Sequence, residues 1–104
     1  MSAVSIYAVF ARVEEAERIG SAMIEERFAA CVNILGPVRS IYRWDREVQR
    51  ADEVAAIFKT TIAQSDRLIA RIAELHSYDV PCIVSWPIEK ILRDYADWVE
   101  DAVG

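Results

Sequence analysis

The chain has 104 residues, of which 54% are hydrophobic and 28% charged, which is the size and composition of one globular domain over residues 1–104. Its formal net charge is -5 and its acidic residues are spread along the chain, so we expect no nucleic acid and no membrane as a partner, although a positive patch could form around Arg39, Arg43, Arg46 and Arg50. No stretch approaches the roughly 18 apolar residues of a membrane span.

The first two predicted elements are a strand and an amphipathic helix. Residues 3–10 are apolar and rich in β-branched or aromatic side chains, which predicts a buried strand. Apolar residues then recur every three or four positions from Ala16 to Phe28. This spacing predicts a helix over residues 14–28 with one apolar face.

The centre of the chain predicts a long antiparallel hairpin. Residues 30–35 form a second strand, which Gly36 and Pro37 interrupt with a bend or a bulge before it resumes over 38–44. Residues 47–61 form the returning arm, and only Asp45 and Arg46 lie between the two arms.

The register of this hairpin follows from the two residues between its arms, and one opposite-charge pair supports it. One alignment pairs opposite charges across the strands, which favours the pairs Trp44–Glu47, Tyr42–Gln49 and Arg39–Asp52. A two-residue turn usually has Gly or Asn where φ is positive, and Arg46 is neither. A wider turn therefore stays open as an alternative.

The last three predicted elements are a helix, a strand and a helix. Ser65 is the expected N-cap of the second helix, which ends at residues 76–79. Residues 81–87 form an apolar strand closed by Pro87, and apolar residues from Ile91 to Ala102 form a final helical stripe. The apolar side of the second helix comprises Leu68, Ile69, Ile72, Ala73 and Leu75.

This order predicts an α+β fold with the ferredoxin-like β-α-β-β-α-β arrangement, extended by a C-terminal helix. The hairpin arms of roughly fourteen residues exceed the usual strand of about five or six and reach beyond a domain of this size. The overhang carries Tyr42 and Trp44 and needs a surface to pack on. We therefore expect these two aromatic residues to anchor an interface.

Cys31 and Cys82 form no spacing motif, and the N-terminus lacks the features of a signal peptide. Free thiols in a cytoplasmic protein are therefore expected, with both cysteines in the core of the fold. Structural zinc is not expected, because no paired metal-ligand spacing is present.

Several segments in order resemble the CutA family of divalent-cation tolerance proteins, and the resemblance covers nearly the whole chain. It implies a compact homotrimer of ferredoxin-like subunits whose sheets continue one another, and a role in tolerance to divalent cations, copper especially. Such a trimer resembles the nitrogen-regulatory PII proteins, so a signalling or assembly role is the alternative. The segments are 28–33 (FAACVN), 41–44 (IYRW), 53–54 (EV), 58–61 (FKTT), 76–81 (HSYDVP), 86–88 (WPI) and 95–98 (YADW).

Within these segments lie the candidate ligand-binding residues. Lys59 interrupts an apolar run and could hold a small anionic ligand. Glu53 is the natural partner for Lys59 or for an arginine of a neighbouring subunit. His76 is the only histidine, and it either binds a metal or ligand or caps the second helix with its ring on Tyr78. The full set of candidates is Cys31, Asn33, Glu53, Lys59, His76 and Tyr78.

Copper binding is expected to be weak, and through His76 if at all. Copper sites use several imidazole, thiolate or thioether ligands. Some family members have a cysteine near the end of the first strand and paired histidines before the matching tyrosine, and here the corresponding positions are Ala8 and Leu75. No cofactor is therefore required, and a divalent cation is at most weakly bound.

Catalysis is not expected. Ser77 adjoins His76 without a nucleophile motif around it, and no glycine-rich loop cradles a phosphate. Acylphosphatase-type hydrolases share this fold order, and Arg12 is available as a phosphate ligand, but fold alone does not confer that activity. We therefore predict a protein that is not an enzyme.

Overall fold

A computed structural model describes residues 3–104. The elements occur in the predicted order, and the four strands form one antiparallel sheet in the order β2-β3-β1-β4. This confirms the predicted α+β class and the four-stranded, ferredoxin-like arrangement. The elements are β1 (Ala3–Phe10), α1 (Val13–Glu25), β2 (Cys31–Trp44), β3 (Glu47–Thr61), α2 (Ile62–Leu75), β4 (Ile83–Pro87) and α3 (Arg93–Ala102).

The main core lies between the sheet and the first two helices. Side chains alternate along a strand, so every second residue of β1, and of β3 from Val54 onwards, faces α1 and α2. Most of these residues are buried, as are the apolar residues of the two helices that meet them. The core includes Ile6, Ala8, Phe10, Ile19, Met23, Phe58, Leu68 and Ile72.

The other face of the sheet, here called the open face, is covered only in part. Near the start of β1, α3 packs Val99 against Ala3 and Ala30. Further along β1 and β4 the rings of Tyr7 and Trp86 stack on each other with their centroids 4.7 Å apart. Both faces of β1 are therefore largely buried, as the sequence predicts.

A bulge in β2 decides which side chains reach the open face. The pairing with β3 shifts between Ile34 and Gly36, and Gly36 has a φ of 108, which favours glycine. Because of the extra residue, Val38 pairs with Glu53 and shares its face of the sheet. Every second residue after Val38 lies on that same face. Tyr42 and Trp44 consequently lie on the open face.

The hairpin turn has two residues, so the wider turn is wrong. Asp45 has a φ of 52 and Arg46 a φ of 67, which is the pair of left-handed conformations of a type I′ turn. The three predicted cross-strand pairs are all observed, including that of Arg39 with Asp52.

Several predicted helix and strand boundaries need correction. The first helix ends at Glu25 instead of residue 28, because Arg27 has a φ of 65 and the N–H groups of Phe28 and Ala29 return to the carbonyl of Met23. The last strand begins at Ile83 and the last helix at Arg93, each two residues later than predicted.

Ser65 does not cap the second helix. The helix follows β3 directly, and Thr61 is its N-cap, with its hydroxyl oxygen accepting a hydrogen bond from the Gln64 N–H. Ser65 lies inside the first turn and donates to the carbonyl of Ile62. On the apolar side of this helix, Ala73 is exposed.

The end of the hairpin, residues 39–52, extends beyond the rest of the molecule. Pairing of β1 with β3 stops at Phe10 and Val54, so the β3 segment that precedes Val54 pairs only with β2. This overhang gives the molecule dimensions of 45 × 26 × 22 Å. Within residues 3–104, no helix is long and apolar enough to cross a membrane.

Candidate functional site

A cleft of about 560 Å³ lies on the open face, where the overhang leaves the sheet. One wall is the β2–β3 hairpin, and the other comprises β1 and the segment between α2 and β4. The lining residues are Tyr7, Val9, Ser40, Tyr42, Trp44, Glu53, Tyr78, Asp79, Val80 and Cys82.

The most buried ionisable group of this cleft is Glu53. It is 9% exposed, and its Oε2 accepts a hydrogen bond of 2.7 Å from the Tyr78 hydroxyl. Burial, together with this hydrogen bond and the charge of Glu53, raises the pKa of Tyr78 to about 12. The Tyr78 phenol therefore stays neutral at physiological pH.

Tyr78 owes its position to His76. The backbone N–H of Tyr78 donates to His76 Nδ1 at 3.0 Å, and His76 Nε2 donates to the carbonyl of Val9 at 2.8 Å. The imidazole stacks on Phe10 and packs at an angle on Tyr78, and its side chain is 0% exposed. The geometry fixes the tautomer with the proton on Nε2 and ties the loop to β1.

Glu15 fixes the same loop from the first turn of α1. It accepts hydrogen bonds from the N–H of Ser77 at 2.7 Å, the hydroxyl of Ser77 at 3.0 Å and the N–H of Ala11 at 3.3 Å. Burial raises the pKa of this carboxyl, but the hydrogen bonds and nearby His76 outweigh it and leave the pKa below its ordinary value. Sequence reasoning missed Glu15, although it lies four residues before Ile19 on the apolar face of the helix.

The arrangement disfavours His76 as a metal ligand. Both ring nitrogens have backbone partners, so no lone pair is free in this structure. Ala8 is fully buried and Leu75 half-buried, and neither adds a ligand. Within the described residues, no three His, Cys, Asp or Glu side chains are grouped so that they could hold a metal ion.

Three further candidates, Cys31, Asn33 and Lys59, lie apart from the cleft, on the part of the open face towards α3. Cys31 pairs across the sheet with Lys59 and its Sγ is 3.3 Å from the Tyr95 hydroxyl. The hydrogen bond with Cys31 and burial raise the pKa of Tyr95 to about 12. The structure therefore separates the six candidates into two groups. Glu53 and Tyr78 line the cleft, with His76 behind Tyr78, and Cys31, Asn33 and Lys59 form the second group.

Two expectations about these residues are wrong. Glu53 does not pair with Lys59, because the two lie about 20 Å apart at the usual strand rise of about 3.3 Å per residue. Neither cysteine lies in the core: Cys31 is half-buried, and Cys82 is exposed just before β4. Both are free thiols as predicted, and burial, with the charge of Glu53, raises the pKa of Cys82.

The charges of the cleft are negative. Glu53 and Asp79 are among its lining residues, which include no Lys or Arg. Arg39 and Asp52 lie on the opposite face of the overhang, because they alternate with the residues that line the cleft. The small anionic ligand that Lys59 suggests therefore has no basic partner in this cleft of the single chain.

Residues 4–102 match the family model of the CutA1 divalent ion tolerance protein. The chain belongs to this family. It is 38% identical over 98 residues to a divalent-cation tolerance protein CutA of Archaeoglobus fulgidus, covering 94% of this chain and 95% of that protein. It is 44% identical over 91 residues to the CutA of Thermus thermophilus, covering 88% of each.

Solved structures of CutA proteins have the same fold. The divalent cation tolerance protein of Thermus thermophilus superposes with a TM-score of 0.94 at 39% identity, covering 98% of this chain and 99% of that one. The Archaeoglobus fulgidus protein, described as periplasmic, gives 0.95 at 36% identity, covering 98% and 99%. These similarities confirm the family resemblance found in the sequence.

Proposed function

We propose that the chain is a homotrimeric divalent-cation tolerance protein that holds a small ligand in the Glu53–Tyr78 cleft, between subunits. One observation carries this proposal. The cleft lies at the base of an apolar overhang that the other described residues of the chain leave exposed, so a neighbouring subunit that covers the overhang also closes the cleft.

The overhang supports an oligomer on two grounds. Its apolar side chains are far more exposed than is usual, with Ile41 at 61%, Trp44 at 55% and Val48 at 53%. Its backbone has unpaired edges, since β2 is an edge strand and the tip of β3 pairs only with β2. Neighbouring subunits that add strands there would bury the apolar side chains and pair the free backbone edges. Tyr42 and Trp44 are the proposed interface anchors.

The family relation supports a role in tolerance to divalent cations, and we propose that copper is among them. A tight copper site within one subunit is not part of the proposal, because both nitrogens of His76 are engaged. Weak binding through residues that the trimer brings together fits the ligand count better.

We propose that the protein is not an enzyme and resides in the cytoplasm. The Ser77 hydroxyl donates to Glu15, which holds the loop, and Arg12 immediately precedes α1 without a glycine-rich loop. An acylphosphatase-type reaction therefore has little support. A PII-like signalling trimer, in which a bound ligand alters the surface of the overhang, remains the alternative.

Native mass spectrometry and a thermal-shift screen test the proposal together. We expect a mass of about three times the 11.8 kDa of the chain. We also expect a ligand among metal ions, nucleotides and small organic ions that raises the melting temperature by mass action. A monomer would contradict the trimer, and a trimer whose melting temperature no ligand changes would favour a purely structural assembly.

A further inference from the structure

The cleft contains a buried carboxylate with a free oxygen atom. Glu53 is 9% exposed, and Tyr78 occupies its Oε2. No hydrogen bond from residues 3–104 is made to Oε1. This oxygen is not fully occluded, because no fully occluded side-chain nitrogen or oxygen in that range lacks a partner. Glu53 therefore presents an unused acceptor at the wall of the cleft.

Aromatic rings form much of the remaining surface. Tyr7, Tyr42, Trp44 and Tyr78 line the cleft, together with the apolar Val9 and Val80. Aromatic faces carry negative electrostatic potential and attract cations, and they also pack against apolar groups. Such walls suit a ligand that has an apolar body and one positive charge.

The charged groups around the cleft favour the same ligand. Asp79 adds a second carboxylate, and the lining contributed by residues 3–104 of one chain includes no Lys or Arg to neutralise either one. These two carboxylates favour a cation over an anion. A hard divalent cation such as Ca²⁺ or Mg²⁺ takes about six oxygen ligands, and the lining that residues 3–104 supply has two carboxylates, Glu53 and Asp79.

We infer that the cleft binds an organic cation, a protonated amine on an apolar body. Its N–H groups donate to Glu53 Oε1, and its apolar part packs among the aromatic side chains. The inference rests on the proposed function, because it assigns a ligand class to the same cleft. Tyr78 is a positioning residue that holds the Glu53 carboxylate in place.

Isothermal titration calorimetry with three matched probes tests the ligand class. The probes are 2-phenylethylammonium, the neutral 2-phenylethanol and the anionic 3-phenylpropanoate, which share an aromatic body and differ in charge. We expect the ammonium to bind at least about tenfold more tightly than either of the others, as a charge-assisted hydrogen bond contributes. Equal affinities, tighter binding of the carboxylate, or no binding of the ammonium would overturn the inference.

Two matched variants locate the site. Glu53→Gln removes the charge and keeps an acceptor for Tyr78, and we expect it to weaken binding of 2-phenylethylammonium by about tenfold. Asp52→Asn makes the same change at the adjacent position on the opposite face, where the side chain is 87% exposed, and binding should stay within about twofold. Equal loss in both variants would show only a general charge effect and overturn the assignment.

Native mass spectrometry of the titrated samples distinguishes this failure from that of the proposed function. A trimer that does not discriminate among the probes would refute the ligand class alone. A monomer would refute the proposed trimer, whatever it binds.

Discussion

The two halves of the β2–β3 hairpin have the same strand geometry but opposite surroundings. Near the helices, Phe58 and Ala56 are 0% exposed, whereas Tyr42 and Trp44 on the overhang are 43% and 55% exposed. The first half is buried by this chain's own helices, whereas the described residues 3–104 leave the second half largely exposed. Aromatic and β-branched side chains form strands in both halves, so residue type alone does not say which partner buries them.

The candidate site lies where these two halves meet. Glu53 is the last residue of β3 before pairing with β1 begins, and it pairs with Val38, just beyond the bulge. The α2–β4 loop, fixed by Glu15 and His76, aims Tyr78 at this point. A rigid base therefore positions the polar pair, and the overhang supplies aromatic walls.

The largest difference between the halves is expected for a core truncation. Phe58→Ala removes a fully buried ring beneath the helices and should lower the free energy of unfolding by about 3–5 kcal/mol. Val48→Ala, on the exposed overhang, is a smaller truncation in the other half. Denaturation of each variant under monomeric conditions should show a loss of less than about 0.5 kcal/mol for Val48→Ala. A comparable loss in both would mean that the overhang supports the subunit itself.

The next effect should appear in assembly. Trp44→Ala should weaken the trimer by roughly 2 kcal/mol or more for each subunit, since it removes a proposed aromatic anchor. Sedimentation equilibrium over a range of concentrations measures this change. Val13→Ala, an exposed apolar position at the start of α1, serves as the control and should leave assembly unchanged. If the Trp44→Ala trimer is as stable as the wild-type trimer, Trp44 is a surface residue and not an interface anchor.

Much of the fold could be predicted from sequence periodicity and charge. The hairpin register followed from one opposite-charge pair, and the bulge from Gly36 and Pro37. The helix ends were less predictable, because a left-handed Arg27 ends α1 and Thr61 caps α2 directly from the strand. Local propensity gives little warning of either, since both depend on where the sheet ends.

A smaller effect is expected where the loop is fixed to the base. Glu15→Gln keeps the side-chain size but removes the charge that accepts three hydrogen bonds, so it should cost about 1.5 kcal/mol. The pKa of Glu15 is lowered in the folded chain. Its contribution is therefore present above the ordinary value of about 4.5 and is lost as the pH falls through the folded pKa.

Urea denaturation at neutral pH and in acid measures this dependence. Wild type and Glu15→Gln should differ at neutral pH and converge in acid. Glu14→Gln, at the exposed neighbouring position in the same helical turn, is the control and should behave like wild type throughout. A difference that persists in acid would mean that packing, and not charge, accounts for the role of Glu15.

The smallest expected effect concerns the hydrogen bond inside the cleft. Tyr78→Phe removes the donor to Glu53 and should cost about 1 kcal/mol, against no measurable loss for Tyr7→Phe. Because the pKa of Tyr78 is raised to about 12, its stabilising effect is present below pH 10 and is lost as the pH rises through 12. Denaturation of wild type and Tyr78→Phe between pH 8 and 12 measures this loss. A wild-type protein that gains stability relative to Tyr78→Phe as the pH rises would contradict the prediction.

Only part of the candidate site could be predicted from the sequence. The resemblance to the family singles out Glu53 and Tyr78, yet their mutual hydrogen bond depends on a loop and a strand 25 positions apart in the chain. Lys59 and Cys31 share a face of the sheet with Glu53 but lie too far along the strands to reach it. Sequence identifies the chemistry of a residue, whereas register and the bulge decide which residues meet.

Hydrogen–deuterium exchange of the overhang tests most directly whether other subunits cover it. The account predicts slow exchange of amides across residues 39–52 in the wild-type protein, approaching that of the core strand β1, and faster exchange there alone in Trp44→Ala. Exchange of the wild-type overhang at the rate of an unstructured peptide, at concentrations where the core stays protected, would contradict it.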